Sequence, residues 1–405
     1  MKRLLTIIVR CVGSLVVFAL GILALSNLAP VFDFSGGQPF SGEHIYNPYS
    51  AFDSTLGWSR ANFHCHTRVD GIFNECEFSP EETIEFYKKY GYDIATVSNH
   101  MEITPVWEDE QISIPVTVYE HGYNLFNNHH LVFSPEKVCY FEYLTPFTAS
   151  QKQFLMDRLA KSGDFIFFNH IHRSRVFNPS QMKKLSGYVA VEADSSFEDE
   201  GQDLEFWDIA LSAGHYSANI TSDDLHFPDN SARLARRSSF LNVASTSYED
   251  IRQAVIAGNL YSMKTPDFGN GDLGQKQRQN MQLPYIENIA LVNDTIILDL
   301  SAPADSVVAI GQGGKKTLME AGDGYVFKYL FKPEDTYIRL HADFGDSFEI
   351  YTNPFVRTAD GQRPAITQPH SVNILLTVLY NLAVLAVSAL LFSALVPIWR
   401  KRVKA

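Results

Sequence analysis

The chain has 405 residues, 45% of them hydrophobic and 20% charged, with a formal charge of −13. That length suits one large domain plus a smaller one, and the acidic balance excludes a nucleic-acid surface, which needs clustered Lys and Arg. No P-loop, dinucleotide fingerprint or nucleophile elbow occurs, so the chemistries those motifs carry are set aside as well.

In chain order, residues 1–30 come first. Cys11 to Leu28 carries no charge and follows Lys2, Arg3 and Arg10, which predicts a membrane helix or, alternatively, a signal peptide. Residues 31–57 are rich in Gly, Pro, Ser and Asn and read as a linker. Ordered structure is expected from 58, with a strand at Ala61–His64. Ser79-Pro80-Glu81-Glu82 is a capping box with Pro at the first helical position, and Gly91 ends that helix. A short strand over Tyr92–Ser98 delivers His100. Ser150–Lys161 reads as a helix, Phe165–Phe168 as an apolar strand delivering His170, and Val189–Val191 as a strand. Asp203–Ala213 is a helix closed by Gly214, Ser217–Ser222 a strand, and Ser247–Ala257 a helix closed by Gly258. Strands alternating with helices, and polar residues placed just past strand ends, predict a parallel α/β barrel whose rim holds a site. Residues 266–284 read as a linker. Short apolar runs over 285–357 predict a small β-sandwich. After a further linker, 358–371, a second uncharged stretch, Ile374–Ile398, predicts a membrane helix over 372–399, ahead of the basic tail 400–405. The positive-inside rule puts both ends in the cytoplasm and the domain outside; with a cleaved signal peptide the domain is outside too.

Four cysteines stand at 11, 65, 76 and 139 without a CxxC pair, which argues against a structural zinc knuckle. Cys76 and Cys139 are candidates for a disulfide in an exported domain. Cys65 alternates with His64 and His66 along an extended segment, so it points away from them and reads as a buried apolar residue.

Ten of the 13 histidines lie between 64 and 226, a crowding that core-filling or solvated use of His would not produce. His64-Cys65-His66 and Asp224-Leu225-His226 bracket the region as two i, i+2 chelates. Imidazoles mixed with carboxylates suit zinc, manganese or iron.

The segments Asn62–Thr67 through Asp70-Gly71, Asp93–His100, Glu120 with His130-Leu131-Val132, Phe168-Asn169-His170, Val191-Glu192 and Thr221–His226 together resemble the PHP (polymerase and histidinol phosphatase) family of metal-dependent phosphoesterases. The resemblance covers about 58–265. It implies a distorted (β/α)7 TIM-like barrel and two or three divalent ions. His64, His66, Glu120 and Asp224 would hold the first, Asp70, His100 and His226 the second, and Glu120, His130 and His170 the third, with Glu120 bridging. His129 and His130 both precede the strand 131–133; His130 is taken as the ligand. Departures from the family pattern are Ser98 and Asn99 before His100, Ile171 after His170, and a segment from His66 to Asp70 that is one residue short.

Such a cluster lowers the pKa of a bound water and clamps both oxygens of an in-line displacement. Catalytic roles are assigned to Asp224 and His226, with Arg68 and Arg173 (or Arg175) as candidates to hold phosphate oxygens. His172 and His215 are further candidates for substrate contact. The expected reaction is hydrolysis of a phosphomonoester or diester outside the cytoplasm, on a small-molecule or a lipid- or envelope-linked substrate, without nucleic acid. The competing readings are carbamate, ester or amide hydrolysis on the same cluster, and a metal-stapled binding module without turnover. Nothing in the sequence speaks to oligomeric state.

Overall fold

The computed structural model describes residues 2–174, 178–195, 202–230, 233–266, 273–320, 323–345 and 348–400. Its helices begin where side chains supply the missing backbone acceptors. Ser79 and Glu82 form the expected reciprocal box on Pro80–Lys89, Thr148 and Gln151 form another on Ala149–Leu159, and Ser247 caps Tyr248–Ala257, which Gly258 closes at φ +82°. The helix Gln202–Ser212 lies where sequence placed it. The short helix Leu273–Asn280 lies in a stretch read as linker; its few apolar residues give no amphipathic period to detect.

The strands do not close into the expected TIM-like barrel. Two open sheets stand in its place. The smaller runs Val118–His121, His130–Phe133, Phe165–Phe168, Ala190–Ser195, Ala218–Ser222, antiparallel over its first three strands and parallel thereafter. The larger includes Ile94–Ala95, Ser59–Asn62, Arg237–Leu241, Leu260–Lys264 and Glu349–Thr352 in that order. The barrel fails for two physical reasons. First, Val118–His121, His130–Phe133 and Phe165–Phe168 pair antiparallel, although the helix Ala149–Leu159 stands between the last two. Second, where Ala218–Ser222 meets Arg237–Leu241, side chains replace the backbone ladder. Thr221 N–H donates to Ser239 Oγ (3.1 Å), Ser239 Oγ donates to Thr221 O (3.0 Å), and Thr221 Oγ1 donates to Ser238 O (2.7 Å). Hydroxyls fill the seam that a closed barrel would zip with N–H and C=O groups.

The larger sheet continues through Tyr337–Asp343, Ser306–Gly311 and Lys315–Leu318. A three-stranded sheet (Ile286–Val292, Thr295–Leu300, Val326–Leu330) shares one apolar core with it, including Ile296, Leu298, Phe327, Val307 and Leu340. The two layers make a sandwich, and one of them is continuous with the half that carries the histidine-rich segments. Asn353 fastens this junction. Its Oδ1 accepts from Asn219 N–H (2.6 Å), its Nδ2 donates to Gly258 O (3.1 Å) and Leu260 O (3.0 Å), and it is fully buried.

Helices Leu4–Leu25 and Ile374–Ser393 are each long and apolar enough to cross a membrane. They lie side by side and antiparallel: Ala29 N–H donates to Asn381 Oδ1 (3.0 Å), Val31 N–H to Thr377 Oγ1 (2.9 Å), and Phe18 meets Phe392 at 5.8 Å. Phe32–Phe34 and His370–Val372 pair as a two-stranded ribbon at their base. Cys76 and Cys139 are both free thiols, so the disulfide considered above is absent.

Replacing Asn353 by Ala strands the buried Asn219 N–H and removes two further bonds, although Gly258 O keeps the Leu260 N–H and Leu260 O keeps the Tyr49 hydroxyl. Thermal unfolding of Asn353→Ala is expected to show a loss of about 2–4 kcal/mol in a single cooperative transition; two separate transitions would mean that the shared sheet does not couple the halves.

Candidate metal centre

The site grows from strand ends. Ser59–Asn62 leads into an extended segment in which Asn62 Oδ1 accepts from His64 N–H (2.9 Å) and His66 N–H donates to Leu225 O (2.8 Å). Alternation sends the His64 and His66 rings together, 5.3 Å apart, while Cys65 is buried on the other side. Ile94–Ala95 leads to His100, which is bridged to Glu120 on Val118–His121. Phe165–Phe168 leads to His170, and Ala218–Ser222 to Asp224 and His226. His170 and Asp224 hold φ of +20° and +47°, left-handed conformations that cost non-glycine residues about 1–3 kcal/mol each and that concentrate at functional sites.

Glu120 sits at the middle. Its Oε2 lies 3.2 Å from His64 Nε2, 3.3 Å from His66 Nε2 and 3.0 Å from His100 Nε2; its Oε1 lies 3.1 Å from both His129 Nδ1 and His170 Nε2. Asp224 Oδ1 lies 3.2 Å from the Nε2 atoms of His64 and His66. Donors fall into groups within 4.8 Å that could each hold an ion: His64, His66, Glu120 and Asp224; His100, Glu120 and His129; His66, Glu75 and His226; and His64, His170 and Glu192.

Four of the six donor separations in the first group match those around a metal. Ligands about 2.0–2.1 Å from a tetrahedral zinc stand about 3.3 Å from one another, against the 3.2, 3.2, 3.3 and 3.2 Å between its imidazole and carboxylate atoms. Hydrogen bonding accounts for one of these contacts, His66 Nε2 with Asp224 Oδ1, but not for the rest: His64 Nε2 and Glu120 Oε2 are buried and neither makes a hydrogen bond. His64 Nδ1 meets Glu192 at 3.1 Å, an arrangement that leaves Nε2 as the inward lone pair.

Burial pushes His64 down, but Asp224, Glu120 and Glu192 outweigh it and hold the imidazole well above its usual range, so a bound cation would take the place of that proton. Burial opposes ionisation of Glu120, yet His100, His64 and His129 hold its carboxyl well below the usual range. Burial likewise opposes Asp224, and His64, His66, His226 and His170 outweigh it. Burial pushes His170 down to about 4, keeping it neutral and able to ligate at pH 7.

Nearly all of the expected ligands converge, with two corrections. Asp70 is exposed and belongs to none of the donor groups. Its place is taken by Glu75, whose Oε2 lies 3.1 Å from His100 Nε2 and 3.1 Å from His226 Nε2. The loop past His66 turns back on itself, with Val69 N–H donating to Asn74 Oδ1 (2.9 Å), and that turn returns residue 75 to the rim. His130 is the second correction. It opens a strand, and its ring stacks on Phe168 (4.8 Å) inside the core. The pleat then gives the preceding residue, His129, to the cluster. Gly122 makes room for it: at φ +149°, a Cβ there would lie 2.2 Å from His129 Cδ2.

Arg173 Nη1 reaches Asp224 Oδ2 at 2.7 Å from the partly exposed mouth. Arg68 is exposed, and among the described residues no donor of the cluster lies in ion-pair range of it; Arg175 is outside the described residues. His172 faces Phe206 (6.4 Å), and His215 Nε2 meets Lys183 O (2.9 Å); neither belongs to a donor group among the described residues. Asp223 serves the fold, accepting from the N–H groups of Ala235, Arg236 and Arg237. Glu192, named in the sequence only as part of a motif, is missed as a member, as Glu75 is; its signal was an acid in an otherwise apolar run, Val189-Ala190-Val191.

No family model matches the chain, and no curated protein matches it. Among solved structures, a two-domain protein from Bacteroides vulgatus containing a predicted PHP-like metal-dependent phosphoesterase is similar at 15% identity and a TM-score of 0.37, over 80% of this chain and 100% of that one. A lesion-specific endonuclease from Pyrococcus furiosus is similar at 15% identity and a TM-score of 0.32, over 49% of this chain and 56% of that one. Likeness at this level carries no argument, and the case for this chain rests on its own residues.

Metal content measured on the purified full chain is expected to fall in His129→Ala and Glu75→Ala and to stay at the wild-type value in His130→Phe and Asp70→Ala. Glu192→Gln is expected to weaken metal affinity by about 10–100-fold.

Proposed function

We propose that the chain is a metal-dependent hydrolase that acts on phosphate esters. The observation that carries this reading is the spacing of about one tetrahedral edge between His64, His66, Glu120 and Asp224, repeated around Glu120 by His100, His129 and His170. Divalent ions held there supply Lewis acidity toward a phosphoryl oxygen and an acidified water. The protein does the rest. Glu120 keeps neighbouring ligand groups at fixed separation. His64 is oriented from behind by Glu192. Asp224, kept anionic by the rings and by Arg173, orients the attacking group.

Arg173 favours phosphate over a carboxyl ester. It is a planar cation on the open side of an otherwise acidic pocket, and guanidinium matches two phosphate oxygens at once. On this reading Arg173 both steadies Asp224 and receives the substrate. His226 and Glu75 line the outer edge, where the second group of ligands meets solvent. No Ser or Cys nucleophile is needed.

The two apolar helices, with basic residues at the outer end of each, support a hairpin anchor that leaves the domain outside the cytoplasm. Zinc, manganese and iron all suit the donors.

The test uses the full chain in detergent with aryl phosphomono-, phosphodi- and carboxyl esters. A chelator is expected to abolish phosphate-ester turnover and added divalent metal to restore it. Asp224→Asn is expected to lower kcat by roughly 10²–10³-fold, and Arg173→Ala to raise KM for phosphate esters more than for carboxyl esters. Turnover that survives both the chelator and Asp224→Asn would sink the assignment.

A further inference from the structure

The metal centre is built onto the base of the apolar helices, and this geometry says where its substrate resides. Two contact routes join them. In the first, the loop that carries His129 is closed by Asn124, whose Nδ2 donates to Asn128 O (2.9 Å) and to Glu142 Oε2 (3.1 Å). The next residue, Leu125, donates its N–H to Leu144 O (3.1 Å), and Thr145 Oγ1 bonds Asn27 Oδ1 (3.0 Å) just past the end of the first apolar helix. In the second, Phe73, two residues from Glu75, meets Tyr123 (6.2 Å), and the Tyr123 hydroxyl donates to Tyr140 O (2.7 Å). Tyr140 lines a cavity of about 670 Å³ whose other walls include Pro30, Phe32 and Val372, the base of the helix pair.

The surface along these routes is unusual for a protein of charge −13. Leu125, Tyr140 and Phe147 are 63%, 68% and 52% exposed. Lys137, Arg158 and Lys161 line the same cavity, and Lys184 lies over Phe34 (5.8 Å) on the ribbon at the helix base. The acids nearby are Asp157, which binds His370 (2.8 Å), Asp33, which binds Asn373, Glu142, whose side chain is turned inward onto Asn124 (3.1 Å), and exposed Glu136. Amphipathic aromatics mixed with cations, next to the ends of two apolar helices, match the composition of a membrane interface.

We infer that the segment 137–147 rests on the lipid surface, that the loop bearing His129 and the rim at Glu75 open along that surface, and that the substrate is a phosphate ester of an amphiphile resident in the same membrane. The substrate class rests on the phosphoesterase reading above; the placement does not. Anchoring then does catalytic work by keeping enzyme and substrate in one two-dimensional phase, where encounter needs no desorption of the lipid.

Two experiments on the full chain in vesicles separate these parts. In the first, Trp is introduced at surface positions and its added emission compared between brominated and ordinary phosphatidylcholine. Tyr140→Trp and Phe147→Trp are expected to be quenched, and Val292→Trp, in the three-stranded sheet of the C-terminal half, to be unquenched; emission at 140 and 147 as insensitive as at 292 would overturn the placement. In the second, the double variant Tyr140→Ser/Phe147→Ser is assayed on phosphatidic acid in phosphatidylcholine vesicles and on a soluble aryl phosphate. Release of phosphate from the lipid is expected to fall by about tenfold with the soluble rate unchanged. An equal effect on both substrates, or hydrolysis of the soluble ester alone by the wild type, would overturn the lipid substrate and leave the phosphoesterase standing. Hydrolysis of neither by metal-loaded wild type would overturn both, with the quenching result still deciding the placement.

Discussion

A carboxylate buried to 1% exposure is the hinge of this molecule. Glu120 lies on a strand in the middle of an α/β core, where an unpaired charge would cost many kcal/mol. Five imidazoles approach its two oxygens to within 3.3 Å, and they come from four separate stretches of chain. Behind the rings these stretches pack into one apolar core through Phe63, Leu131 and Phe167, and that packing leaves the ring positions to be set by charge. What brings the rings together is the electrostatic demand of one acid and one neighbour, Asp224, together with the cations that such a donor set draws in. Positive backbone angles at His170 and Asp224 are tolerated because several ligand contacts hold each residue at once.

The open seam between the sheets serves the same end. A closed barrel would fix Thr221 and Ser239 by backbone pairing and would carry the strand after Ala218–Ser222 straight on. The hydroxyl-bridged seam lets the chain turn at Asp223, which spends its carboxylate on three backbone N–H groups of the returning loop. Asp224 and His226 are thereby presented inward from the end of an edge strand. The seam sacrifices a few ladder bonds and gains an abrupt, well-satisfied corner beside the cluster.

Sequence showed the parts of the site that follow regular strands and concealed those that do not. His64, His66, His100, His170, Asp224 and His226 each come at or just past a short apolar run, so the period of two fixes their direction. Glu120 was legible only through the family resemblance. Asp70 and His130 failed for local reasons. The first lies in a loop whose path is set by Asn74, a hydrogen bond that no periodicity reports. The second depends on where a four-residue strand begins, and a shift of one residue turns the side chain to the opposite face. Helix caps at Ser79 and Ser247 were legible because their chemistry is local. The sheet that crosses from Leu260–Lys264 to Glu349–Thr352 was not, because antiparallel pairing across some ninety residues leaves no mark on either strand alone.

That crossing bears on what the C-terminal half does for the site. Asn353 ties the half to the strand ending at Ser222 and to the turn at Gly258. Leu260–Lys264 is in turn paired with Arg237–Leu241, which forms one side of the hydroxyl seam next to Asp223. A rigid second layer behind that seam holds the turn into Asp224 from outside, where a closed barrel would hold it from within. The sandwich is therefore a brace for an acid that the cluster requires, and removing its strands would loosen the corner at Asp223 before disturbing His64 and His66, which sit one strand further in.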